Sequence, residues 1–155
     1  MRPEDDEKLG EPSLRVGGLR VWVHHRQFPD SADYWDGNWL VVTAIYRSPA
    51  SWASATGAIL HASELLHLLT EAERLYSSLS GTAILPCMEP NLRLEMKGNG
   101  RGQIEVEVLI TDDHLSESHK YVEQIDQTHL PPLLQACSRV LADFPIKGKA
   151  EDARG

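Results

Sequence analysis

Cysteine is nearly absent from this chain. Cys87 and Cys137 stand 50 residues apart in the apolar contexts AILPCMEP and LLQACSRVL. They form no CxxC or other metal spacing, and they read as small buried hydrophobes of a protein kept in a reducing compartment. Aromatic residues make up only 6% of the sequence, and no segment approaches the ~18 continuous apolar residues of a membrane span. The opening MRPEDDEKLGEPS carries no apolar signal core. These absences lead to the expectation of a cytoplasmic protein without a membrane partner.

Positive charge is scarce as well. Fifteen Lys and Arg face 23 Asp and Glu, for a formal charge of −8 and a pI near 5.3. Such an average field repels nucleic acid and anionic lipid and attracts a basic protein, although mild acidity also serves solubility alone. Catalytic signatures are missing too. There is no GxSxG elbow, no P-loop, no GxGxxG after a strand and no HExxH, and GNGRG at 98–102 links two strand-like segments. No catalytic residue, cofactor or metal is therefore assigned.

The length suits one domain with a core of its own, and 41% hydrophobic with 25% charged residues is an ordinary globular composition. Residues 1–12 and 147–155 are polar without apolar periodicity and are expected to be flexible tails around a domain at 13–146. LRVGGLRVWVHHRQF reads as strand, turn at Gly17-Gly18 and strand. WLVVTAIYR is a nearly continuous apolar strand, expected to be central and covered on both faces, and SWASATGAILHA suits another. A helix is predicted from about Ser63 to Ser80, with Ser63 as N-cap and Gly81 as stop. Its core stripe is Leu65, Leu68, Leu69, Ala72, Leu75, Tyr76 and Leu79.

Leu92, Leu94 and Met96 then alternate with charged residues, as do Ile104, Val106, Val108 and Ile110, so the two segments predict an antiparallel hairpin with one buried and one wet face. SHKYVEQID suits a further strand. THLPPLLQACSRVLADFP predicts a closing helix, with Thr128 as cap, both prolines in the first turn and Pro145 as stop. The class is α+β: antiparallel sheet with two amphipathic helices packed on it.

Against this background FPDSADYWDGNWLVV stands out, because it gathers Tyr34, Trp35 and Trp39 with Asp30, Asp33, Asp36 and Asn38. Oxygen ligands for a hard cation are present, but their spacing of three is not that of a calcium loop. The plainer reading is a turn at Asp36-Gly37 with Trp39 anchoring a core strand. Tyr34 and Trp35 beside carboxylates also have the composition of an interface hot spot, or they fold back over the core edge; both readings stand. Among the seven histidines, adjacent His24 and His25 point to opposite faces of a strand, and the others lack metal spacing.

From Asp36, Asn38, Trp39 and Leu40 onward, the order of apolar strand, short strand, leucine-rich helix, alternating hairpin and closing helix ending at Phe144-Pro145 resembles the WapI family of bacterial immunity proteins. The resemblance spans roughly Leu14 to Lys147. It implies a non-catalytic protein that binds and neutralises the toxic C-terminal domain, often a basic nuclease, of a polymorphic toxin from its own strain. It assigns Asp36, Asn38, Trp39 and Leu40 an architectural role. The pair Tyr34-Trp35 has no counterpart in that motif, which makes Asp30, Asp33, Tyr34 and Trp35 the expected partner contacts. An interaction or small-ligand-binding domain outside any toxin system is the alternative, and it requires a concave apolar pocket between helices and sheet. A metal-dependent enzyme using Asp30, Asp33, Asp36 and one histidine is a third reading.

Overall fold

A computed structural model describes residues 3–150. Among the described residues eight strands form two antiparallel four-stranded meanders. The first takes β1 (Leu14–Val16), β2 (Leu19–Arg26), β3 (Trp39–Arg47) and β4 (Trp52–His61) in chain order, and the second takes β5 (Ser80–Leu85), β6 (Leu92–Asn99), β7 (Gln103–Ile110) and β8 (His119–Asp126). Between the sheets in sequence lies α1 (Ala62–Ser78), and α2 (Leu130–Asp143) closes the chain. The α+β class stands, with two sheets. No described helix is long and apolar enough to cross a membrane.

The hairpin of β6 and β7 has the register that the alternation demands, with Leu94 opposite Val108 and Met96 opposite Val106 on the buried face. These side chains join Leu14, Val16, Leu40 and Val42 of the first sheet, Leu65, Leu68 and Leu75 of α1, and Leu133 and Cys137 of α2 in one core. Burial pushes the Cys137 thiol up to about 12, so it stays protonated. The sheets are stitched at one end. Tyr121 stacks on Tyr46 at 4.2 Å, and Glu123 on β8 accepts from Gly18 N at 2.7 Å. Gly17 sits at φ 54 in the same turn, where any Cβ would meet the Glu123 carboxylate. Burial and the adjoining Glu123 push the Tyr46 hydroxyl up to about 12.

Helix ends depart from expectation. His61, not Ser63, caps α1: its ring accepts from Ser63 N, while Glu64 Oε1 accepts from His61 N at 2.8 Å, a reciprocal capping box. The helix stops at Leu79, which takes the left-handed conformation at φ 60 that glycine usually fills, while Gly81 already lies in β5. Tyr76 is 44% exposed, outside the core stripe expected to include it. Before α2, Asp126 and not Thr128 is the cap, accepting from Thr128 N at 2.8 Å into a short 3-10 turn, Gln127–His129. The two prolines open α2 as their missing N–H groups allow.

Both expected tails are engaged where they are described. Pro3–Leu9 is a 3-10 helix, and Asp6 within it is buried against Arg20 and Arg47. At the other end, Lys147 N donates to Asn38 Oδ1 at 2.9 Å. Residues 151–155 of the expected C-terminal tail lie outside the described residues.

Candidate interaction surface

The segment between β2 and β3 carries the predicted site. Asp33 acts on its own loop: its Oδ2 accepts from Trp35 N at 2.9 Å and from Asp36 N at 3.0 Å, and its carbonyl accepts from Gly37 N at 2.8 Å. That winds the 3-10 turn Asp36–Asn38. Glycine is required at 37, because a Cβ there would lie 2.8 Å from the Ser31 carbonyl.

Asn38 is the hub of the turn and is fully buried. Its Nδ2 donates to the carbonyls of Tyr34 at 2.7 Å and Lys147 at 2.9 Å, while its Oδ1 accepts from Lys147 N and from Arg26 Nη1 at 3.2 Å. Every donor and one acceptor pair of the amide is thereby used, as burial requires. Arg26 also donates to the carbonyls of Gly37 and Pro145, and Lys147 Nζ to those of Pro29 and Ser31. The loop is clamped to the segment that follows α2.

Its aromatic residues close around His61. Ring centroids of Tyr34, Trp35 and Trp39 lie 5.4, 5.6 and 5.0 Å from the imidazole. His61 Nε2 is 3.2 Å from both the Tyr34 and Trp35 carbonyls, so that nitrogen carries the proton, and Nδ1 faces Ser63 Oγ at 2.7 Å. Burial holds its pKa below the usual histidine value, although the two carbonyls oppose this. Glu64, whose carboxylate accepts from His61 N and Met88 N, is pushed upward by its own burial. One neutral imidazole thus fixes the helix start and the loop together.

The expected contact residues divide into two groups. Asp30 is exposed, and Trp35 is 38% exposed although its inner face packs on His61. Asp33 is also exposed but spends one carboxylate oxygen on the amides of its own loop, and Tyr34 is half-buried in the cage. Asp36 is exposed, while Asn38 and Leu40 are fully buried and Trp39 is half-buried. Phe28, 47% exposed in the same loop, was not singled out by sequence. His24 bonds Thr43 Oγ1 and His25 bonds the Arg26 carbonyl, across a bulge in β2. Among the described residues no group of three or more His, Cys, Asp or Glu is placed to hold a metal.

This arrangement of two meanders, two helices and a pinned acidic aromatic loop can be set against known proteins. The model of the Immunity protein WapI-like family matches residues 13–145. The chain belongs to this family. The WapI-like match opens just before β1 and closes at Pro145, so it contains both sheets, both helices and the whole loop, and leaves Pro3–Leu9 and Lys147 outside. No curated protein and no solved structure matches the chain.

The apolar space between helices and sheets, lined by Leu14, Val21, Leu68, Leu85, Leu94 and Leu133, measures about 10 Å³. That is room for about one water at most. The pocket that a small-ligand reading needs is closed there.

Proposed function

We propose that this WapI-like protein is a non-catalytic immunity protein of a bacterial polymorphic toxin system. It acts in the cytoplasm by binding the toxic C-terminal domain of its cognate toxin and covering its working surface. The family match over residues 13–145 carries this reading. The loop supplies the contact: Trp35 and Phe28 offer exposed ring surface, and Asp30 and Asp36 offer exposed carboxylates to arginines and lysines of a basic partner. Asp33 and Tyr34 hold these groups in place. Because the loop is pinned at Asn38 and His61, little conformational entropy is lost on binding. The formal charge of −8 speeds encounter with a basic toxin domain and makes it salt-sensitive.

The test is a pull-down with tagged protein from lysate of its own organism, at low and then raised salt, with captured proteins identified by mass spectrometry. Recovery of a toxin C-terminal fragment that weakens with salt is expected. A clean negative from cells shown to express such a toxin would remove the reading.

A further inference from the structure

The first sheet has a second face, turned away from the core, and it is basic in an otherwise acidic protein. Arg15 on β1, Arg20 and Trp22 on β2, and Ile45 and Arg47 on β3 share this face by register. Trp22 and Ile45 are 4% and 1% exposed, yet neither belongs to the main core cluster. The N-terminal segment lies against this face at Arg20, Trp22 and Arg47. Asp6 Oδ2 lies 3.5 Å from Arg20 Nη1, Asp6 Oδ1 accepts from Arg47 Nη2, and Trp22 Nε1 donates to the Gly10 carbonyl at 3.0 Å.

We propose that this face is a groove for an acidic peptide segment of a partner protein, and that Pro3–Leu9 is a built-in occupant competing for it. Asp6 displays the chemistry the groove accepts, one carboxylate between two guanidinium groups beside an indole. The groove is not filled by its own cover. A cleft of about 370 Å³ remains, lined by the three arginines and Trp22 and by Asp6, Glu7 and Glu11 of the N-terminal segment, with Glu11 Oε2 4.0 Å from Arg15 Nη2. Arg20 Nε is buried there without a hydrogen-bond partner, a donor left over by the short Asp6 side chain.

The cover is also built to leave. It is a 3-10 helix of 7 residues, too short to persist without its contacts. Gly10 at φ 73, followed by Glu11 and Pro12, turns the chain between this helix and β1. The arginines lie within the family match at 13–145 and the cover lies outside it. Charge complementarity therefore defines the occupant, and tethering gives the cover the advantage of high effective concentration over a free peptide. The inference does not depend on the toxin reading.

Fluorescence anisotropy of a labelled peptide PEDDEKLGEP, the sequence of residues 3–12, tests it on the full chain. Asp6→Lys should release the cover by repulsion and bind the probe about tenfold or more tighter than wild type, with the affinity falling as salt rises. A probe with every Asp and Glu changed to Asn and Gln should not bind. Asp6→Asn, which removes the carboxylate without adding charge, should fall between wild type and Asp6→Lys and serves if the latter does not fold. Circular dichroism establishes folding. A folded Asp6→Lys or Asp6→Asn chain that binds no better than wild type, or equal binding of the neutral probe, would overturn the proposal.

Discussion

Replacing His61 with alanine removes three things at once. The cap of α1 goes, worth about 1 kcal/mol. The partly buried carbonyls of Tyr34 and Trp35 lose the Nε2 donor, at about 1–3 kcal/mol. Ring contacts with Tyr34, Trp35 and Trp39 are lost, each aromatic pair contributing about 0.5–1.5 kcal/mol. These effects share one site and do not add in full, so the expected loss is about 4 kcal/mol, a large part of the ~5–15 kcal/mol that stabilises an ordinary domain. Urea unfolding at neutral pH measures it. Ser63→Ala, which removes only the hydroxyl facing Nδ1, should lose about 1 kcal/mol or less. Hydrogen exchange supplies the location: the Trp35 and Asp36 amides, held by Asp33, should exchange faster in His61→Ala although Asp33 is intact. A His61→Ala chain within about 1 kcal/mol of wild type would refute the reasoning, because the imidazole would then not be the joint between helix and loop.

The same residue sets a pH dependence. Its folded pKa lies below the unfolded value near 6.5, so the unfolded chain takes up the proton first, and His61's contribution, complete above that value, is lost as pH falls toward the folded pKa. Glu64 runs the other way. Its folded pKa lies above 4.5, so its contribution is complete below that value and is lost as pH rises through the folded pKa. Urea midpoints measured between pH 4.5 and 7 should therefore show a shallower rise with pH in His61→Ala, and a steeper one in Glu64→Gln, than in wild type. Asn38→Leu should lose about 3 kcal/mol or more, since it leaves the Lys147 carbonyl and amide without their partner and the Tyr34 carbonyl with His61 Nε2 alone; thermal unfolding reads this directly. Trp35→Ala should lose about 1–3 kcal/mol through its ring contacts with Tyr34 and His61 while the chain still folds, and should weaken toxin binding by about 30-fold or more if the ring is a hot spot.

Local physics explains what could be read in advance. Leu92 to Met96 and Ile104 to Ile110 alternate because one face of the second sheet is buried and the other wet, so their pairing was legible in the residues themselves. The apolar run of β3 announced a strand covered on both sides, and Ile45, 1% exposed yet outside the main core cluster, shows that the second side is covered too. What escaped depends on distant partners. Asp6 reads as tail until Arg20 and Arg47 are brought beside it, and Asn38 reads as a turn residue until Lys147 arrives from 109 positions away. His61 escaped for another reason. Its position immediately before the helix was visible, but a cap is usually expected from a hydroxyl or carboxylate side chain, and its ring contacts come from the β2–β3 loop.

The same division holds for the site. Composition pointed to the loop, because aromatic residues are sparse in this chain and three of the eight from Tyr and Trp together gather at 34–39. It could not separate display from support. Asp33 and Asp36 look alike in sequence and both are exposed, yet one oxygen of Asp33 accepts two backbone amides of its own loop. Phe28 gave no local signal beyond being aromatic.

The most direct measurement is the affinity of purified protein for the purified C-terminal domain of the toxin recovered with it, by calorimetry at low and raised salt, for wild type and Trp35→Ala. Tight one-to-one binding that weakens with salt is expected, with a clear loss in Trp35→Ala while its fold stays intact. Absence of binding by the wild-type protein at low salt would contradict the immunity function itself, and tight binding that Trp35→Ala leaves unchanged would contradict the loop as the surface that performs it.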